Sequence, residues 1–83
     1  MKHYVYILKS EKNGQYYKGY TANLEKRVFE HNNDLSRYTK NKGPWKLVYF
    51  KDFDNKTDAL KFEKAVKKYN SQYLKNLILS FNK

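Results

Sequence analysis

The chain has 83 residues, no cysteine, and 18 Lys and Arg against 8 Asp and Glu, a formal charge of +10. A chain this short buries only roughly 60% of its unfolded surface, so we expect one domain over residues 1–83 in which any site shares residues with the core. The lack of thiols excludes a disulfide framework, a zinc finger and a cysteine nucleophile, and is compatible with a reducing cytoplasm, the compartment we expect. Near the N-terminus only the five apolar or aromatic residues Tyr4 to Leu8 separate Lys2 and His3 from Lys9, too short a run for a signal peptide or a spanning helix. Excess positive charge makes a polyanion the default partner and a membrane surface a poor one, because each neutralised phosphate releases counterions. A lysine-biased solubility surface is the bland alternative, since only Arg27 and Arg37 of the 18 basic residues are Arg.

In chain order, residues 3–9 are β-prone and lead to Asn13-Gly14, a dipeptide suited to a hairpin turn, with residues 16–20 as the returning strand. A two-residue loop at Asn13-Gly14 sets Leu8 opposite Gly19 and Ser10 opposite Tyr17, and places Tyr6 and Tyr17 on one face. Thr21 or Asn23 can cap a helix over 24–32. Leu24, Arg27, Val28 and His31 are spaced three and four apart there, which turns both cations inward or to a rim. Residues 33–45 form a polar, basic loop carrying Arg37, Tyr38, Lys40 and Lys42. Trp45 opens a third strand to about Phe53, Asn55 with Asp58 caps a helix over 56–69, and a last helix covers 71–81. The order β-β-α-β-α-α specifies an α+β layer structure with a small, mainly antiparallel three-stranded sheet.

Several of these residues carry chemistry. Tyr6 and Tyr17 present phenols whose ordinary pKa of about 10 makes them poor bases without help from a cation. Gly19, two residues after Tyr17, lets a phosphate or another side chain approach the strand. Arg27 offers the planar guanidinium that holds phosphate oxygens, although an ion pair with Glu30 or Glu63 also accounts for it. His31 can share a proton with a phenol or serve as a packing residue. Glu63 lies beside the apolar stripe of its helix, where an unpaired carboxylate is costly, so it needs a metal or Arg27 as partner. A single carboxylate suits Mg²⁺ or Mn²⁺, which keep several waters and accept phosphate oxygens. Asp52, Asp54 and Asp58 read as strand-end and cap residues. Lys61, Lys64, Lys67, Lys68 and Lys75, with Lys40, Lys42 and Lys46, supply a positive surface for a nucleic-acid backbone.

Taken together, Tyr4-Val5-Tyr6-Ile7-Leu8, Tyr16-Tyr17-Lys18-Gly19-Tyr20-Thr21, Leu24-Glu25-Lys26-Arg27 with His31-Asn32, Tyr38-Thr39, Trp45 to Tyr49, and Ala59-Leu60 leading to Glu63-Lys64 resemble the GIY-YIG nuclease family. Within it the chain looks like the small stand-alone members often called UPF0213, and the family is similar to the N-terminal nuclease domain of UvrC. Tyr4 stands where the name motif has Gly, and Lys18 where it has Ile, both usual in this subgroup. The resemblance implies a three-stranded sheet flanked by helices and an endonuclease that hydrolyses nucleic acid, foremost DNA, with one divalent metal, Mg²⁺ or Mn²⁺. Tyr6, Tyr17, Arg27, His31 and Glu63 fall on the catalytic positions, with Tyr6 the favoured base or relay and Glu63 the metal ligand. Lys18, Gly19, Arg27, Lys40 and Lys42 are the expected substrate contacts. A basic nucleic-acid-binding module without catalysis is the alternative.

Overall fold

The computed structural model describes residues 1–81; the last two residues of the expected 1–83 unit lie outside the described residues. Its elements are β1 (His3–Ser10), β2 (Tyr16–Thr21), α1 (Leu24–Asn32), β3 (Trp45–Phe53), α2 (Lys56–Val66) and α3 (Ser71–Phe81). The strands form one antiparallel sheet in the order β2-β1-β3. β1 is therefore central, and its unbroken apolar run follows from being covered on both faces. Val5 and Ile7 pack with Tyr49, Ala59, Val66 and Leu74 beneath α2 and α3, whereas Tyr6 and Leu8 pack with Trp45, Tyr17, Leu24, Val28 and Leu47 beneath α1. The result is an α+β layer structure with α1 on one side of the sheet and α2 and α3 on the other.

Local signals place the helices. Asn23, not Thr21, caps α1 by accepting from Lys26 N at 3.1 Å, while the Thr21 hydroxyl accepts from Asn23 N instead. Asn55 accepts from Asp58 N at 2.9 Å and donates to the Asp58 carboxylate at 3.0 Å, a reciprocal cap that begins α2. α2 ends at Val66, short of the expected residue 69. The next residues turn through Tyr69 N to Val66 O at 3.1 Å, which frees Asn70 to cap α3 by accepting from Tyr73 N at 2.8 Å. Tyr69 keeps its place against the core from this turn. Asp52 and Asp54 both pair with Lys2 at the end of β3, as strand-end residues.

The hairpin register differs from the two-residue-loop expectation. Ser10 N donates to Gln15 O at 2.8 Å and Gly14 N to Ser10 O at 2.9 Å, so the loop comprises Glu11 to Gly14, with Gly14 at φ 77°. The cause is the Ser10 hydroxyl, which accepts from Lys12 N and Asn13 N, both at 3.1 Å, and donates to Lys42 O at 2.6 Å. Leu8 consequently pairs with Tyr17, and Gly19 with Tyr6. The slip is even-numbered, so Tyr6 and Tyr17 stay on the same face. It also explains Gly19: a Cβ there would lie 2.6 Å from Tyr6 Oη and 2.7 Å from Cζ. The approaching group is the Tyr6 ring, which crosses edge strand β2 at the one residue without a side chain.

Gly19→Ala should consequently lower stability by about 1–3 kcal/mol, the usual cost of overpacking, read as a lower urea midpoint. The loss should shrink when Tyr6 is simultaneously Leu. An unchanged midpoint in the single variant would mean that the Tyr6 ring has room to move.

Candidate active site

Four elements bring the site together. Tyr6 comes from β1 and Tyr17 from β2, with ring centroids 6.3 Å apart. His31 comes from the last turn of α1 and lies 4.8 Å from the Tyr17 ring and 5.8 Å from the Tyr6 ring, centroid to centroid. Tyr6 is 1% exposed and His31 0% exposed, and a 2.9 Å hydrogen bond joins Tyr6 Oη to His31 Nε2. His31 is thus the inward end of the α1 stripe, seated in the core between helix and sheet.

Arg27 occupies the rim of the same stripe. Its Nη1 donates to Glu30 Oε1 at 3.0 Å, one helical turn on, and its side chain is 32% exposed. Burial works against the guanidinium charge. The Glu30 carboxylate and the Tyr6 and Tyr17 hydroxyls outweigh that penalty and hold Arg27 above its ordinary pKa. Burial pushes the Tyr6 phenol up to about 12, partly opposed by Arg27 and reinforced by Tyr17 and Glu63. Arg27, Tyr17 and Glu63 are thus the groups whose charge and polarity the Tyr6 hydroxyl feels.

Glu63 lies on α2 with its side chain 19% exposed and a 3.6 Å contact to the half-exposed Lys67. Arg27 is committed to Glu30, so among the described residues Glu63 is left with one weak surface-type ion pair. No group of three or more His, Cys, Asp or Glu is present among the described residues. That donor set suits a hard cation held by one carboxylate and completed by water and phosphate oxygens, and does not suit zinc.

The remaining expected contacts spread more widely. Gly19 is buried beneath the Tyr6 ring. Lys18 pairs with Ile7 and by strand alternation belongs to the α2/α3 face, opposite the phenols. Lys40 and Lys42 are exposed in the loop between α1 and β3, where the Lys42 carbonyl receives the Ser10 hydroxyl. Sequence spacing misses Thr39. Its hydroxyl is 2.7 Å from His31 Nδ1, the residue is 0% exposed, and its carbonyl accepts from Trp45 Nε1 at 3.2 Å. Asn32 fixes this loop by bonding the Trp45 backbone on both sides, at 2.6 and 3.1 Å. Nothing periodic marks a buried threonine between Tyr38 and Lys40.

The fold and its side chains define an α+β domain that gathers phenol, guanidinium, imidazole and carboxylate groups at the edge of a three-stranded sheet. The chain belongs to the GIY-YIG family, a nuclease family, whose catalytic-domain model matches residues 2–76. It is 45% identical over 78 residues to a UPF0213 protein of Staphylococcus saprophyticus, covering 93% of this chain and 94% of that protein. It is 47% identical over 78 residues to one of Clostridium perfringens, covering 93% and 83%. The solution NMR structure of a UPF0213 protein from Bacillus halodurans superposes with a TM-score of 0.61 at 34% identity, covering 94% of this chain and 83% of that one. Among the described residues no helix is long and apolar enough to cross a membrane.

Burial, followed by the positive charge of Arg27, lowers His31 from 6.5 to about 4, against an opposing pull from Glu30. Between these values the unfolded chain binds a proton that the folded chain refuses, so stability is complete above 6.5 and falls as pH drops toward 4. The gap corresponds to about 3 kcal/mol. Urea midpoints taken across that window should show the loss in the wild type and a flatter profile in His31→Gln. Lys2 lowers Asp54 from 3.8, so its contribution disappears only below that value and leaves the His31 window clear.

Proposed function

We propose that this domain is a metal-dependent endonuclease that hydrolyses phosphodiester bonds in DNA. The observation that carries the reading is the convergence of Tyr6, Tyr17, Arg27 and Glu63 from β1, β2, α1 and α2. These groups fit the needs of phosphoryl transfer, which depends on positioning and charge neutralisation more than on covalent chemistry. Arg27 stays cationic at any working pH and sits half-buried at the rim, so its guanidinium can grip a non-bridging oxygen of the scissile phosphate. Glu63 would hold the Mg²⁺ or Mn²⁺, which when bound would offset phosphate charge. Exposed Lys61, Lys64, Lys68 and Lys75 on α2, its C-terminal turn and α3, with Lys40, Lys42 and Lys46, supply backbone contacts.

The phenols divide the proton transfer between them. Tyr6 is buried, so it reaches water only through its neighbours and serves as the relay held in place by His31. Tyr17 is partly exposed, so its hydroxyl can exchange a proton with water or substrate. With His31 neutral above about 4, its ring does not titrate in the neutral range. The deprotonated phenol fraction grows as pH approaches about 12, so the cleavage rate should rise toward alkaline pH, by up to about tenfold per unit.

Purified wild type should nick supercoiled plasmid in Mg²⁺ or Mn²⁺ and stop in EDTA. Arg27→Ala and Glu63→Gln, at matched folding, should each lower the rate on the order of 10²–10³-fold. Equal rates in all three would assign the nicking to a contaminant and leave a binding module without catalysis.

Phosphate contacts are the expected source of affinity, given the +10 charge. The logarithm of the DNA binding constant should fall linearly with the logarithm of salt concentration, measured by fluorescence anisotropy without metal. Affinity that ignores salt would remove the polyanion reading for both functions.

A further inference from the structure

Behind the Tyr6 phenol lies a chain of buried polar groups whose proton directions follow from counting donors and acceptors. Tyr6 Oη is 2.9 Å from His31 Nε2, and His31 Nδ1 is 2.7 Å from Thr39 Oγ1. Tyr6, His31 and Thr39 are all between 0 and 1% exposed, so bulk water completes none of these bonds. Thr39 Oγ1 has His31 Nδ1 as its only hydrogen-bond partner among the described residues. The Thr39 carbonyl is occupied separately, by Lys42 N and Trp45 Nε1, both at 3.2 Å.

A threonine hydroxyl carries one proton, and a buried hydroxyl proton without an acceptor is the arrangement that folded proteins avoid. If His31 Nδ1 were protonated, it would donate to Thr39 Oγ1 and strand the hydroxyl proton. If Nδ1 is bare, the hydroxyl donates to it, and the proton left over is that of the Tyr6 hydroxyl, at the end of the chain beside the Tyr17 ring, centroids 6.3 Å apart, rather than that of Thr39 inside the core. His31 then carries its one proton on Nε2 and donates it to Tyr6 Oη.

We infer that Thr39 is a positioning residue that holds His31 in the Nε2–H tautomer, so that the imidazole donates to the Tyr6 oxygen and turns the Tyr6 O–H proton outward into the site. The groups that act electrostatically on that hydroxyl are Arg27 from α1, Tyr17 from β2 and Glu63 from α2. Arg27 has no acceptor, which leaves the Tyr17 oxygen, the Glu63 carboxylate or a substrate oxygen to receive it. In this arrangement the Tyr6 oxygen faces an imidazole N–H and a guanidinium, two groups that stabilise it when its proton leaves. The opposite tautomer would accept the Tyr6 proton and lock it into the core. The lowered pKa of His31 agrees, because a neutral ring is required.

The functional consequence rests on the nuclease reading, whereas the tautomer is tested without it. Long-range ¹H–¹⁵N correlation spectra of the full chain at neutral pH should show a pyridine-type Nδ1 and a pyrrole-type Nε2 for His31. The reverse pattern in the wild type overturns the inference, whatever the protein cleaves. Thr39→Ser, which restores the hydroxyl, should keep the wild-type pattern and cleave within about twofold of wild type, while Thr39→Val should lose the pattern and slow nicking on the order of 10²-fold. If Thr39→Val cleaves like the wild type while Tyr6→Phe does not, Thr39 does not act through Tyr6 and the inference fails. If no variant, wild type included, cleaves any DNA in Mg²⁺ or Mn²⁺, the nuclease reading fails instead, and the wild-type spectrum alone decides the tautomer. Should Thr39→Val not fold, the wild-type spectrum with Thr39→Ser still decides it.

Discussion

The hydrogen bond between Tyr6 and His31 is where the core and the site become the same object. It crosses the interface between the central strand and α1, with both residues out of contact with solvent. Leaving either group without its partner there costs about 1–3 kcal/mol, so helix and strand can dock in only one rotation and one register. Everything else in the site inherits that docking. Arg27 reaches the rim because it is one turn before His31 on the same stripe, and Tyr17 reaches the imidazole because β2 is held against β1 in a register that brings Gly19 under the Tyr6 ring.

The charges of the site show how a small domain keeps ionic groups near an apolar core. Arg27 is neutralised from within its own helix by Glu30, with further support from the Tyr6 and Tyr17 hydroxyls, so it can stay half-buried and charged. Among the described residues Glu63 has no comparable partner, since Lys67 stands 3.6 Å away and is half-exposed. This asymmetry separates a prepaired cation from an underused carboxylate. It fits an arrangement in which anionic substrate meets the first and a divalent cation meets the second.

Polar residues also organise the connections. Ser10 shapes the hairpin turn and reaches the loop that follows α1, and Asn32 clamps the start of β3 at the other end of that loop. Between these anchors Thr39 is carried into the core and Trp45 is set across the Tyr17 ring, with centroids 6.4 Å apart. A stretch whose composition reads as solvent-exposed loop is therefore pinned at several points, and its one fully buried threonine is continuous with the phenol chemistry.

Much was legible in the linear sequence because its causes are local. The β-prone run of residues 3–9, the Asn caps at 23 and 55, and the three-and-four spacing of Leu24, Arg27, Val28 and His31 each act within a few residues, and such signals placed all six elements with end errors of at most a few residues. The shared face of Tyr6 and Tyr17 was equally legible, since an even slip in pairing preserves it. The slip itself was not, because the Ser10 hydroxyl that sets the turn answers to a carbonyl at Lys42. Nor could spacing say that Arg27 would choose Glu30 over Glu63, or that Thr39 would meet His31. Those outcomes depend on which polar groups lose water together, and desolvation is a property of the packed chain, decided only when helix, sheet and loop close over the same few atoms.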